Sequence, residues 1–141
     1  MKGIELAERF FDNHVKALLC DEFGEYRNRI AVGLVGHGSE CFGFDDEVSK
    51  DHDHVAGVCL WLNKEDEQKI GFRLMRAYDK LVKSVNGERA DRVVENGFQG
   101  VFVTGDFYRR YTGCDGAPKT WQNWLYTNSA YFAEATNGKV F

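Results

Sequence analysis

Three short apolar segments, residues 30–35, 55–62 and 100–104, most constrain the fold of this chain. The middle segment is continuously apolar, as expected for a strand that is buried on both faces of a sheet. The first segment runs directly into Gly36-His37-Gly38-Ser39, so its strand is expected to end in a glycine-rich turn. We therefore predict three β-strands separated by helical stretches.

Helical spacing of apolar residues marks two longer stretches of the chain. The first, residues 4–19, is expected to end near Gly24, and its polar face carries Glu5, Glu8 and Asp12. The alternative, an interfacial membrane helix, is disfavoured because such helices carry a basic polar face. The second stretch follows Asn63, a good N-cap residue. Shorter helices are predicted through residues 41–42, 107–111, 121–125 and 130–135.

Size and charge limit the class of protein. A chain of 141 residues is enough for one domain with one core, residues 1–141. Its net charge is -4, whereas broad nucleic-acid binding usually requires a basic surface, so nucleic acid is not the expected partner. We find no secretory leader and no apolar membrane span, and we expect a cytoplasmic protein with no membrane partner. The four cysteines form no C-x-x-C pair and are expected to serve packing.

Two polar elements carry the chemistry. Asp51 and Asp53 flank His52, and on a strand their carboxylates project to the same face. Two carboxylates on one face repel each other unless a cation lies between them, and Mg²⁺ suits such oxygen ligands and commonly binds substrate phosphates. The preceding Gly38-Ser39 pair offers backbone N–H groups and a hydroxyl to a phosphate. Together these elements predict metal-dependent phosphate chemistry.

The order of these elements resembles that of a known superfamily. A strand, a Gly-Ser turn, a short helix and a strand opening with Asp-x-Asp are typical of the nucleotidyltransferases related to DNA polymerase beta. The string Gly38-Ser39-Glu40-Cys41-Phe42-Gly43-Phe44-Asp45-Asp46-Glu47, followed by Ser49-Lys50-Asp51-His52-Asp53, is similar to one branch, the domain of unknown function 4037 family. Residues 105–111 and 137–141 are similar to that family as well.

The resemblance implies an α+β fold, a small mixed sheet with helices packed on it and a cleft at the strand ends. It also implies that Gly38 and Ser39 hold the triphosphate of an NTP, most simply ATP, and that Asp51 and Asp53 hold Mg²⁺. An unidentified acceptor would attack the α-phosphorus and release pyrophosphate. His37 either approaches a phosphate or caps the strand end.

The chain departs from the superfamily pattern in two ways. Active members carry a third carboxylate on a later strand, whereas residues 100–104 contain no acid. Asp106, just past that strand, is the candidate third acid, and its alternative role is a helix cap; Glu95 lies before the strand. Members of the family also continue into a helical region, so a second copy or a partner chain is expected to supply the acceptor site.

These departures keep other functions open. The alternative to the enzyme is a non-catalytic nucleotide-binding or scaffold module of the same fold that works with a partner chain. A simple metal site built on Asp51, His52, Asp53 and His54 is a third reading. Arg109 and Arg110 either contact phosphate or form a solvated helix face. Trp121 and Trp124 share a helical face and are expected to pack into the core.

Overall fold

The computed structural model describes residues 2–36, 39–42, 55–90 and 99–141, without the side chains of residues 39 and 40. Helices and strands alternate along these residues. In chain order they are α1 (Gly3–Phe10), a π-helical turn (Phe11–Val15), α2 (Lys16–Glu22), β1 (Ala31–Leu34), α3 (Ser39–Phe42), β2 (Cys59–Leu62), α4 (Lys64–Asn86), β3 (Gly100–Val103), α5 (Thr104–Thr112), α6 (Trp121–Tyr126), α7 (Ser129–Thr136) and β4 (Lys139–Val140).

The strands form one mixed sheet in the order β3-β2-β1-β4. The β1 strand is antiparallel to both of its neighbours, and β2 is parallel to β3. The long helix α4 connects the two parallel strands, as parallel pairing requires a crossover. This arrangement confirms the predicted α+β class with a small mixed sheet. The β4 strand, only two residues long, was not predicted.

The strand register defines two ends of the sheet. Gly33 of β1 lies opposite Cys59, and Cys59 lies beside Gly100, the first residue of β3. The chain therefore leaves β1 towards Ser39 at the end where β2 and β3 begin, and we call this the Ser39 end. At the other end Leu62 lies beside Val103, which leads into α5 and Asp106. We call this the Asp106 end.

The first face of the sheet carries the larger core. Alternate strand residues project to this face, where helices α1, α2 and α4 cover them. The strand residues are Val32, Leu34, Leu60, Leu62 and Val101, and the helical residues include Ala7, Phe10, Leu19, Ile70, Leu74 and Tyr78. This packing confirms both long predicted helices. Asn63 caps α4 as predicted, since its Oδ1 accepts from the Asp66 N–H at 2.7 Å.

The second face is covered by α5 and α7. Cys59 and Trp61 of β2 project to this face together with Phe102, and they pack against Phe107 and Tyr111 of α5. Phe107 lies at the centre: its ring centroid is 5.3 Å from that of Trp61, 5.1 Å from that of Phe102 and 5.5 Å from that of Tyr111. Burial on both faces explains why β2 is continuously apolar.

The paired part of β2 is shorter than the predicted strand. It begins at Cys59 rather than at residue 55, because side chains of α4 bond the backbone that leads into it. Asn86 bonds both backbone groups of Ala56, and Tyr78 bonds both backbone groups of Val58. The backbone N–H and C=O groups of Ala56 and Val58 are therefore hydrogen-bonded without a paired strand on each side of the segment.

The expectation that Trp121 and Trp124 pack into the core is wrong. Trp121 is 70% exposed and Trp124 is 52% exposed. Trp124 makes one ring contact, with Phe132 of α7 at a centroid distance of 5.2 Å. The three-residue spacing places both rings on one helical face, but that face points to solvent.

Within the described residues, none of the helices combines the length and the apolar character that crossing a membrane would require.

Candidate functional site

The residues predicted to form the site fall into two groups. His37, Gly38, Asp51 and Asp53 lie outside the described residues. Ser39 is the first residue of α3, so a helix opens at the Gly-Ser pair as predicted. Among the described residues, no group of three or more histidine, cysteine, aspartate or glutamate side chains is placed to hold a metal ion.

The turn after β1 is fixed at Gly36. Gly36 has φ +116°, a backbone conformation that residues other than glycine rarely adopt. The Asn137 side chain pairs with its backbone: Oδ1 accepts from the Gly36 N–H at 2.9 Å, and Nδ2 donates to the Gly36 carbonyl at 2.8 Å. One amide side chain thus holds the exact point at which the chain turns towards Ser39.

Gly138 fixes the same turn from its other side. Its N–H donates to the Cys41 carbonyl in α3 at 3.0 Å. Gly138 has φ +80°, and a Cβ added to it would lie 1.9 Å from the Leu34 carbonyl oxygen, so no larger residue fits. The C-terminal segment therefore contacts both β1 and α3, the elements that precede and follow Gly38 in the sequence.

A second amide holds the approach to β2. Asn86 Oδ1 accepts from the Ala56 N–H at 3.0 Å, and its Nδ2 donates to the Ala56 carbonyl at 2.8 Å. Two residues later the Tyr78 hydroxyl accepts from the Val58 N–H at 2.8 Å and donates to its carbonyl at 3.0 Å. Burial raises the pKa of Tyr78, so the hydroxyl stays protonated and can donate.

Both segments that flank the predicted motifs are thus held by side chains from distant parts of the chain. Sequence reasoning missed Asn86, Asn137 and Tyr78. The only signal for Asn137 was the similarity of residues 137–141 to the resembled family, because a contact between positions 36 and 137 leaves no local pattern.

Cys59 is the first residue of β2 at the Ser39 end. Its side chain is buried, and burial raises the pKa of the thiol to about 12. A thiol with that pKa stays protonated at neutral pH and is a poor nucleophile. Cys41 is buried as well, so the predicted packing role is confirmed for these two cysteines; Cys20, by contrast, is exposed.

Two buried donors on the second face have no hydrogen-bond partner among the described residues. They are the indole Nε1 of Trp61 and the hydroxyl of Tyr111. Both side chains are more than nine-tenths buried. A buried donor without a partner is costly, so such a group calls for an explanation.

Asp106 is not the helix cap that was expected as its alternative role. Helix α5 begins at Thr104, its N-cap is Val103, and Asp106 lies inside the first turn. The carboxylate is exposed and accepts a hydrogen bond from Arg109 at 3.3 Å. Arg109 also pairs with Asp115, and both side chains are exposed. Of its two predicted roles, Arg109 therefore fits the one on a solvated helix face.

The register also separates Asp106 from Ser39. Asp106 follows β3 at the Asp106 end, whereas Ser39 follows β1 at the opposite end. Four-residue strands lie between the two ends, a distance of roughly 10 Å. The geometry therefore gives no support to Asp106 as a third carboxylate beside the Gly-Ser pair.

Arg110 occupies a different position from Arg109. Its guanidinium carbon lies 4.9 Å from the ring centroid of Phe107, 5.2 Å from that of Phe102 and 5.7 Å from that of Tyr111. Cation–π contacts of this kind hold a positive charge against the second face of the sheet.

A comparison of the chain with protein-family models, with curated proteins and with solved structures gave no significant match.

Proposed function

We propose that the chain is a Mg²⁺-dependent nucleotidyltransferase that moves a nucleoside monophosphate from an NTP, most simply ATP, to an acceptor. One observation carries the proposal: β1 is followed by a glycine, Gly36, with positive φ, and helix α3 begins at Ser39, after the end of the sheet where β2 begins. The strand that follows Asp51 and Asp53 in the sequence, β2, therefore begins at the end of the sheet from which β1 leads to Ser39.

The role proposed for each residue follows from the chemistry of its functional group. Gly38 and Ser39 would bind the triphosphate through N–H groups and a hydroxyl, with His37 beside them, and Asp51 and Asp53 would bind Mg²⁺. The metal would neutralise charge on the phosphates, and positioning of the acceptor for in-line attack would supply the rest of catalysis.

The hydrogen bonds that hold the flanking segments support this role. Asn137 holds Gly36, which lies just before the Gly-Ser pair in the sequence. Asn86 holds Ala56, which lies just after Asp53. Catalysis that depends on positioning benefits when the groups that bind substrate and metal are carried by fixed backbone.

A non-catalytic nucleotide-binding module is the second candidate. Its support is that β3 carries no acid and that Asp106, the acid that follows it, lies at the other end of the sheet. In this case nucleotide would bind at the Ser39 end without transfer. For the enzyme, a second copy of the chain or a partner chain is proposed to supply the acceptor site, whereas the binding module would work with a partner chain.

Incubation with each NTP and Mg²⁺, followed by mass spectrometry for pyrophosphate and for a nucleotidylated product, separates the two candidates. The enzyme predicts pyrophosphate release that is lost in the Asp51→Asn, Asp53→Asn double variant. The binding module predicts Mg²⁺-dependent nucleotide binding in calorimetry with no pyrophosphate. Binding that is equally strong with and without Mg²⁺, in both proteins, would reject a metal at these aspartates.

A further inference from the structure

The hydroxyl of Tyr111 is a buried donor with no hydrogen-bond partner among the described residues. The side chain is only 6% exposed. Burial raises the pKa of Tyr111, while the nearby positive charge of Arg110 acts in the opposite direction to a smaller degree. The hydroxyl is therefore protonated at neutral pH and has a proton to donate.

The hydroxyl lies directly against the turn that leads to the Gly-Ser pair. A Cβ added to Gly36 would be 2.7 Å from the Tyr111 Oη. Asn137 bonds both the N–H and the carbonyl of Gly36 in this position. The Gly36 carbonyl accepts from the Asn137 amide, and the Tyr111 hydroxyl donates to no acceptor among the described residues.

Helix α5 connects this position to a positive charge. Arg110, the preceding residue, places its guanidinium carbon 5.7 Å from the Tyr111 ring centroid. An unused O–H donor beside a cation favours an anionic acceptor, and hydrogen bonds to a charged acceptor are stronger than those between neutral groups.

We propose that the Tyr111 hydroxyl donates a hydrogen bond to a phosphate oxygen of a nucleotide bound at the Ser39 end of the sheet. This inference rests on the proposed function and adds to it a phosphate-binding residue from α5. The hydroxyl is covered by neighbouring atoms in this structure, so the phosphate oxygen reaches it only when those atoms move. The unfavourable burial of an unpaired donor is then relieved on binding.

Tyr111→Phe tests the proposal because it removes only the hydroxyl. If the hydroxyl is a phosphate donor, the variant is as stable as wild type or more stable, since an unsatisfied donor is removed, while its Kd for Mg·ATP rises by about tenfold or more. The Kd for Mg·tripolyphosphate, which lacks base and sugar, should rise by a similar factor. Tyr126→Phe, at a residue that is 83% exposed, is the matched control and should change neither property.

Three results would overturn the proposal, and they differ in what else they reject. Wild-type affinity in Tyr111→Phe for both ligands would remove Tyr111 from the site and leave the proposed function standing. A loss for ATP with none for tripolyphosphate would assign the hydroxyl to the nucleoside instead of a phosphate. If wild-type protein binds neither ligand in the presence of Mg²⁺, this inference and the proposed function fail together.

Discussion

Single side chains that bond both backbone groups of one distant residue fix the described backbone beside the predicted motifs. Asn137 does so for Gly36 and Asn86 does so for Ala56, in each case with two hydrogen bonds between 2.8 and 3.0 Å. An asparagine amide has one acceptor and two donors, which matches the N–H and C=O of a single residue. The turn after β1 and the approach to β2 are held by the same chemistry.

Asp66 should make stability depend on acid pH. Arg29 donates to it at 2.8 and 3.2 Å, and this contact lowers the pKa of Asp66 below its ordinary value. The stabilisation is complete above the unfolded-state pKa of about 3.9 and is lost as pH falls through the lower folded-state pKa. The difference in free energy of unfolding between wild type and Asp66→Asn should therefore shrink below about pH 4.

Urea unfolding of both proteins from pH 7 to pH 2.5 measures this difference. Glu65→Gln is the control, because that carboxylate is largely exposed and pairs only with Lys69 among the interactions described. A difference for Asp66→Asn that stays constant across the whole range would contradict the assignment.

Asp106→Asn should leave pyrophosphate release unchanged. The carboxylate is exposed, pairs with Arg109 and lies at the Asp106 end of the sheet, so removing its charge should not affect the metal site that is proposed for the other end. The loss of stability should stay below about 1 kcal/mol, the size of a helix-terminal charge or an exposed ion pair. A collapse of turnover with stability retained would restore Asp106 as the third acid.

At the scale of elements, the C-terminal strand acts as a brace for β1 and α3. Gly138→Ala should be strongly destabilising, because its Cβ would overlap the Leu34 carbonyl at 1.9 Å and because φ is +80°. Gly113→Ala is the matched control, since φ there is +71° but no atom lies within 4 Å of the added Cβ. Gly113→Ala isolates the cost of a left-handed conformation, about 1–2 kcal/mol.

The free energy of unfolding, measured with urea, should fall by clearly more in Gly138→Ala than in Gly113→Ala. The difference reports the steric overlap between the Cβ added at residue 138 and the Leu34 carbonyl. Equal losses in the two variants would mean that the C-terminal segment can leave β1 without cost.

The elements that could be predicted from sequence are those whose signal is local. Helix α4 has a capping residue and a long apolar period, and β2 has a continuous apolar run, so both were found. The β4 strand could not be predicted, because two exposed residues, Lys139 and Val140, are strand only through pairing with Gly33 and Leu34. The site was predicted as motifs, whereas the side chains that hold the backbone beside those motifs bond across as many as 101 positions.

At the scale of the whole molecule, an uncharged aromatic surface lies on α6 and α7. Residues 120–133 contain no charged side chain. The exposed aromatic residues of this surface are Trp121, Trp124, Tyr126 and Tyr131, and together they expose roughly 400–650 Å². Aromatic residues are enriched at protein interfaces, and side chains without charge do not repel those of a second copy.

This surface gives the predicted homo-oligomer a direct test. Sedimentation velocity across a range of protein concentrations should show self-association of wild type that Trp121→Gln with Leu125→Gln abolishes. Because both side chains are about 70% exposed, the double variant should unfold with nearly the wild-type free energy. A wild-type chain that stays monomeric at every concentration would reject the homo-oligomer.

The central claim is that nucleotide and metal bind at the Ser39 end of the sheet. Mn²⁺ in place of Mg²⁺ tests it most directly, because paramagnetic broadening of backbone amide signals in NMR reports distance from the metal. With Mn²⁺ and ATP, we expect the amides of Gly36, Ser39, Cys59 and Gly100 to broaden first and those of Val103 and Asp106 to broaden last. Broadening centred on Val103 and Asp106, or none that depends on ATP, would contradict the account.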